Sequence, residues 1–569
     1  MDVSMYEDLN YRARQVLHYL DRNPDEREGW MPHFGGTIVG GAPAYHHSEW
    51  DACDVGWRMV EAYLLVRQIL GQKEPEEPER RLRAFVLRTV RDDGLSYRLA
   101  RPWSQPHAWM WDHGRALLAL AAWLRFEPDD RVAALARRMV AGLAAIARRE
   151  ADGDRWFFPA ENWTGTAWGD TVYGHPPTGA PIEGMVELAE LLGDRGVLDA
   201  AGHFVRWVRA ARPPLFAADG TVVRRGGGPL PYQFTHLHSR LSIANGLLEY
   251  AWATGDALLH EWAERAYAHV RDGLASSFGF VPESLESGPD LGPKARAENC
   301  AVVDMMQGAA ILAAHGHPEE RSTLFRYGLN QLFAHQILDF APLRHLMASS
   351  PPAAAAAGSS SHGLPERFLG CFTGCTHVNE LVVDASRPFA GPAQLVDASG
   401  CCSPSGAKGL WLLWKEAIRR EAETVRVDAW VTLENPDVRV VCAEPARGEL
   451  RLQMKRPCQE LLLAVPEGVE EPAVSGTPAA PEEGGVLRCG PQRQGNEVRV
   501  EYRLAERTSR ERVAGADYTI RWRGPRVVAV DPPAQHCRHY WWRQRGGWRQ
   551  NAGRGAGRSD PETRADETC

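Results

Sequence analysis

No part of this 569-residue chain is apolar for long enough to cross a bilayer. The longest such run, ALLALAAWL, spans nine residues where about 20 are needed. The N-terminal MDVSMYEDLNYRARQ carries acidic residues and no apolar core, so no secretory signal is expected, and the reading is a soluble cytoplasmic protein without a membrane partner. Long single-sign charge blocks are missing as well. The 65 basic and 73 acidic residues are interspersed and leave a formal charge of −8, which excludes a nucleic-acid backbone as partner. No regular short repeat marks a solenoid. Cysteines are few and odd in number, 11 in all, which suits free thiols and metal ligands rather than a disulfide framework.

What is present is helical periodicity. From the N-terminus to about residue 420, apolar residues recur at i, i+3, i+4 and i+7 between Gly-, Pro- and His-rich loops. Helices are expected over 4–22, 51–72, 78–92, 112–126, 129–149, 182–194, 196–212, 237–254, 256–274, 298–315, 317–336 and 406–420, mostly paired by short connections. A dozen paired helices suggest an (α/α)6 toroid, with its interhelix loops gathered at one end. Those loops hold YHHSEWDACD, RPWSQPHAWMWDHG, ENWTGTAWGDTVYGHPP and FTHLHSR. Their tryptophans, mixed with polar groups, suit a sugar's apolar faces and hydroxyl edges, although each one taken singly reads as core. Past residue 421 the period becomes 2: Val425, Val427, Ala429, Val431 and Leu433 alternate with polar neighbours, as do Val498, Val500 and Tyr502. The fold class is therefore mainly α, an (α/α)6 toroid followed by a C-terminal β-sandwich. Its domains are a catalytic barrel over 1–421, a β-sandwich over 422–532 and an extension over 533–569 that ends in a polar, partly disordered tail. The WWRQRGG run at Trp541 has no assigned role.

Two cysteine clusters stand out, AENCAVVDM at 297–305 and SGCCSPSG at 399–406. Residues two apart on a helix diverge by about 200°, so Glu298 and Cys300 can face one point only where the chain enters a helix. The helical pattern of Val302, Val303, Met306 and Ala310 begins there. Cys401 and Cys402 lie between Gly400 and the turn Ser403 to Gly406, where irregular backbone can bring both thiols inward. One carboxylate and three thiolates are ligands of the kinds a tetrahedral Zn²⁺ takes, although the spacing is not that of a zinc ribbon and buried inert cysteines are the competing reading. Cys371, Cys375 and His377 of CFTGCTH also have ligand spacing and are read as structural.

ENCAVVD resembles the E-T-C-A motif, and CCSPSGA the C-C-P-P-N motif, of glycoside hydrolase family 127, the β-L-arabinofuranosidase group. DVGWRMVEA, ATGDALLHEWAERAYAHV and YTIRWRGPRVVAVDP resemble other family segments in the same order, so the similarity runs along most of the chain. The resemblance implies a zinc-dependent retaining glycosidase. Glu298, Cys300, Cys401 and Cys402 would bind Zn²⁺ and Cys401 would attack the anomeric carbon, with Glu283 in SSFGFVPESLES as acid and base and Glu286 the nearby alternative. His236, with His238 behind it, fits the expected sugar-binding histidine. Ala180 of GAPIEG replaces another family histidine, for which only the displaced His175 could compensate, and Ser403 and Ser405 replace proline and asparagine. The implied substrate is an arabinofuranoside or a related small glycoside or glycoconjugate; a homodimer is left open. Two other readings compete: ordinary carboxylate catalysis in the same toroid by Asp51, Asp54 or Asp112, and a non-catalytic carbohydrate-binding protein with a structural zinc.

Overall fold

Two Gly-Asp pairs show how the helices double back. Gly193 (φ 59°) and Gly255 (φ 70°) adopt the left-handed conformation that ends a helix. The next residue then starts a new one: the carboxylates of Asp194 and Asp256 accept the N–H groups of Gly196 and Leu259 at 3.0 Å each. A computed structural model of the chain describes residues 3–149, 156–157, 161–163, 179–211, 214–223, 235–285, 296–350, 358–383, 395–443 and 448–545.

Among the described residues, twelve of the helices alternate between an outer and an inner ring. They are α1 (Leu9–Arg22), α2 (Gly56–Leu70), α3 (Glu77–Leu87), α4 (Met110–Phe126), α5 (Asp130–Ile146), α6 (Gly179–Leu192), α7 (Arg195–Ala210), α8 (Leu237–Thr254), α9 (Ala257–Gly273), α10 (Asn299–Ala314), α11 (Glu320–Tyr327) and α12 (Cys402–Ala417). The even-numbered helices pack in the order α2, α4, α6, α8, α10, α12, and α12 returns to α2, which closes the toroid. The odd-numbered helices lie outside them. Burial follows this division: every residue of α10 from Asn299 to Ala313 is buried, whereas α1 buries only Leu9, Arg12, Ala13, Val16, Tyr19 and Leu20, one face of an amphipathic helix.

The helices fall close to where the periodicity placed them, with four differences. The one expected over 4–22 is a 3-10 turn over Val3–Glu7 followed by α1 from Leu9, and the one expected over 317–336 is α11 followed by a π-helical turn over Gly328–Leu332 and a last turn over Phe333–His335. The helix expected over 78–92 stops at Leu87, because Arg88 N–H turns back to Phe85 O at 3.1 Å. The one expected over 406–420 begins earlier, at Cys402, and ends at Ala417, because Ile418–Glu421 pairs antiparallel with Thr424–Val427.

From there the chain is β. One five-stranded sheet runs Ile418–Glu421, Thr424–Val427, Glu460–Ala464, Val486–Arg488, Ala480–Glu482; a second runs Leu433–Glu434, Val438–Cys442, Glu449–Met454, Glu497–Leu504, Val469–Ser475. The alternation read from the sequence is the sandwich's inner face: Val425, Val427, Val498 and Val500 are 0% exposed. A three-stranded sheet, Glu506–Val513, Ala516–Arg523 and Arg526–Asp531, follows. The chain then returns to the barrel and ends its described part in the short helix Trp541–Arg545. Among the described residues no helix is long and apolar enough to cross a membrane.

Candidate metal centre and active site

Three consecutive inner helices present the residue just before their first turn to one rim of the barrel. These N-cap residues are His236 of α8, Glu298 of α10 and Cys401 of α12. Glu298 is extended (φ −107°, ψ 131°) and Asn299 opens the helix, so the carboxylate of Glu298 and the thiol of Cys300 fall on the same side, as the two-residue spacing requires. At the other cluster the backbone differs from expectation. Cys401 already has helical φ and ψ and Cys402 is the first residue of α12, so the pair is presented by a helix end rather than by an irregular loop. A helix N-terminus carries partial positive charge, which favours thiolate and carboxylate there.

The four predicted ligands converge. Their donor atoms, one each from Glu298, Cys300, Cys401 and Cys402, all lie within 4.8 Å of one another. Cys300 Sγ is 3.2 Å and Cys401 Sγ 3.7 Å from Cys402 Sγ. Ser399 Oγ lies 3.2 Å from Cys401 Sγ, and Cys300 Sγ lies 3.3 Å from Ser405 Oγ. In this trio the surroundings favour the thiolate form at Cys401. Hydrogen bonds from Cys300 and Cys402, together with the nearby Arg58 guanidinium, hold its thiol well below the usual range despite burial. Burial holds the Cys300 thiol high, and its bonds to the other two sulfurs hold that of Cys402 high. Cys401 is half-buried, whereas Cys300 and Cys402 are buried.

His236 joins this group directly, its Nε2 lying 2.8 Å from Glu298 Oε2. Burial opposes protonation of its imidazole, but the Glu298 charge and hydrogen bond outweigh it and raise the pKa. His238, two residues on, is locked. Arg115 Nη2 can only donate, so at 2.9 Å His238 Nε2 accepts and its Nδ1 carries the proton toward Asp304. Burial and then Arg115 hold this imidazole neutral, and burial raises the Asp304 carboxyl to about 7.

Glu283 lies on the segment beside both. Its backbone N–H bonds Arg296 O at 2.8 Å, its carbonyl accepts Leu237 N–H at 2.9 Å, and its carboxylate takes two bonds from Arg296, at 3.0 and 2.6 Å. Glu286 and His175 lie outside the described residues.

The remaining candidates are occupied elsewhere. Asp54 accepts Arg58 Nε at 2.7 Å and Trp111 Nε1 at 2.9 Å, and Asp112 pairs with Arg98 at 2.8 and 3.0 Å. Asp51 accepts His47 Nδ1 at 2.7 Å and the N–H groups of Phe34 and Ser48 at 2.7 and 2.8 Å. Cys371 is buried in the core and Cys375 sits opposite Glu298 on a short strand pair. Among the described residues these two and His377 form no ligand group. The other group that could be counted as one, Asp25, His33 and His47, has its two imidazoles stacked 4.0 Å apart at 17°, so their in-plane lone pairs run parallel rather than meeting at one ion.

Sequence reasoning gave no role to Arg58, which joins Asp54 to Ser405 (Nη1 to Oγ, 3.2 Å) and acts on Cys401. Its signal was present: Arg58 stands one helical turn after Asp54, the spacing of an ion pair.

No family model matches the chain, and no curated protein matches it by sequence. Solved structures do match by shape. A family 127 β-L-arabinofuranosidase from Geobacillus stearothermophilus T6 aligns over 90% of this chain and 80% of its own, with 14% identity and a TM-score of 0.54. A second family 127 β-arabinofuranosidase aligns over 92% and 81%, with 13% identity and a TM-score of 0.57. A structure described as a glycoside hydrolase aligns over 89% and 84%, with 12% identity and a TM-score of 0.55. In fold, a closed (α/α)6 toroid with a C-terminal β-sandwich, this chain is similar to solved structures of glycoside hydrolase family 127.

Proposed function

We propose that the protein is a retaining glycoside hydrolase with a zinc-held cysteine nucleophile, acting on an arabinofuranoside or a related small glycoside. The observation that carries the reading is the convergence of Glu298, Cys300, Cys401 and Cys402 at the N-terminal ends of two neighbouring inner helices, with His236 at a third. The donor set fits zinc: three sulfurs and one carboxylate oxygen, gathered within 4.8 Å, are the ligands of a closed tetrahedral site. When bound, zinc keeps its sulfur ligands deprotonated at neutral pH and fixes their direction. The shared fold supports the substrate class, since two of the matching structures are described as arabinofuranosidases.

The chain's own residues supply the rest. The Cys401 sulfur, least buried of the three and favoured as the thiolate, forms a bond to the anomeric carbon as the bond from that carbon to the leaving oxygen breaks. Glu283 gives that oxygen its proton. In the second half Glu283 takes a proton from water, whose oxygen bonds the anomeric carbon and displaces the Cys401 sulfur. Two inversions give net retention. Arg296 orients the Glu283 carboxylate through its two bonds, and His236 both orients Glu298 and faces the sugar. We assign this chemistry to residues 1–421 and a supporting role to the sandwich over 422–532. The engagement of Asp51, Asp54 and Asp112 weighs against a carboxylate mechanism in the same barrel. The test is intact-mass and peptide analysis after incubation with a cysteine-reactive sugar analogue. A single adduct on Cys401 is expected, and labelling elsewhere or none at all overturns the mechanism.

A further inference from the structure

The short strand around Gly374 backs both halves of the cysteine cluster. On one side Asn299 N–H donates to Gly374 O at 3.0 Å, and Glu298 pairs across the ladder with Cys375. On the other, Cys402 Sγ lies 3.7 Å from Gly374 O, Gly374 N–H donates to Asp397 Oδ1 at 3.3 Å, and Thr373 bridges Ala398, three residues before Cys401. A displacement of this strand therefore moves Glu298 and the Cys401–Cys402 pair together.

What holds the strand from behind comes from the far end of the sequence. Past Thr376 the chain turns, with His377 N–H to Glu380 O at 2.9 Å, and meets the segment that follows the last strand of the β region. Leu381 N–H donates to Cys537 O at 2.9 Å and His539 N–H to Asn379 O at 3.1 Å. His539 Nε2 donates to His377 O at 3.1 Å. Glu380, 7% exposed, accepts the N–H groups of Gln535 and His536 on its two carboxylate oxygens at 3.0 and 3.1 Å. The segment is in turn latched by Arg543, which is wholly buried and bonds Glu7 Oε1, Asn330 Oδ1, Val527 O and Leu329 O at 2.7 to 2.9 Å.

From these contacts we infer that residues 535–545 form a brace for the metal centre, with Glu380 as the positioning residue that couples this C-terminal strap to the strand behind Glu298 and Cys402. The inference rests on the four-ligand reading of the cluster. It assigns a role to the C-terminal residues that neither the cluster nor its chemistry requires. Glu380 touches no ligand, so its effect passes through backbone position alone, and the loss of about 10-fold in affinity that follows removal of a direct outer-shell partner marks the upper end of what its removal costs.

The experiment compares the full-length wild type with Glu380→Gln, in which an amide N–H replaces one acceptor against two backbone N–H donors. Zinc affinity is measured by competition with a chromophoric chelator, the rate of Cys401 alkylation in metal-stripped protein by mass spectrometry, and strap docking by hydrogen exchange at 535–539. In Glu380→Gln we expect faster exchange in the strap, zinc bound more weakly by more than about twofold and up to about tenfold, and a Cys401 alkylation rate altered by more than about twofold, with the far-UV spectrum unchanged. Zinc affinity and alkylation rate both within twofold of wild type overturn the inference, whether or not the strap has detached and whatever the melting temperature does. Where Glu380→Gln does not fold, Glu380→Asp, which keeps the charge but shortens its reach, is judged by the same readouts. A wild type that binds no zinc refutes the metal reading itself, and the alkylation rates then decide the brace alone.

Discussion

Replacing Glu7 by glutamine removes the formal negative charge to which Arg543, the latch of the C-terminal strap, is bonded. Its carboxylate accepts Arg543 Nε at 2.8 Å, Trp542 Nε1 at 3.0 Å and Arg526 Nε at 3.1 Å, at a site 8% exposed. Burial alone would raise this carboxyl, but Arg543 and Arg526 outweigh it and hold the pKa at about 2 against an ordinary 4.5. A difference of about 2.5 units corresponds to about 3 kcal/mol of native-state stability. This also matches the order of the 3–5 kcal/mol lost when one partner of a buried ion pair is removed. Because the folded pKa is the lower one, the contribution is complete above pH 4.5 and is lost as pH falls through about 2. It is down to roughly half at pH 3. Urea unfolding of the full chain is therefore expected to show Glu7→Gln less stable than wild type by about 3 kcal/mol at pH 7 and by roughly half that at pH 3. A deficit under about 1 kcal/mol at pH 7, or one that does not shrink in acid, would refute the assignment of this charge to the latch.

The other predictions concern the site. Protein purified without chelator should carry one equivalent of zinc by elemental analysis, and Cys300→Ser should lose most of it; a wild type with under about a tenth of an equivalent counts against the centre. Cys401→Ser should form no sugar adduct even with an activated substrate, whereas Cys402→Ser should bind zinc more weakly and still be labelled at Cys401 on intact-mass analysis. Glu283→Gln should keep its zinc and lose about 100-fold or more in turnover, with an activated aryl glycoside restoring the first step but not the second; near-normal turnover moves the acid and base role elsewhere.

The sequence by itself determined the parts whose cause is local. Helix starts and stops at Gly193–Asp194 and Gly255–Asp256 follow from the backbone freedom of glycine and the capping oxygen of aspartate, both visible at their own positions. The switch from a period near 3.6 to a period of 2 near residue 421 fixed where helices give way to sheet, to within a few residues, because burial of one face imposes that alternation. The spacing of Glu298 and Cys300, just ahead of the helical pattern of Val302, Val303 and Met306, placed both at a helix entry, since residues two apart inside a helix diverge by about 200° whereas extended backbone at Glu298 brings them to one side.

Tertiary structure decided the rest. Packing of α12 against α10 brings Cys401 to Glu298 across about a hundred residues, and periodicity carries no information about which helix ends meet. Which of two chemically equal cysteines holds the charge depends on Arg58, on the hydrogen bonds among three sulfurs and on half-burial, all of them properties of the assembled rim. His236 and His238 are two residues apart and look alike in the chain, yet one meets Glu298 and the other is fixed between Arg115 and Asp304, because the backbone enters α8 between them. The WWRQRGG run could not be read at all from its own residues. Arg543 is intelligible only beside Glu7, at the opposite end of the sequence, because a buried guanidinium is stable only where the fold delivers its counter-charge and acceptors.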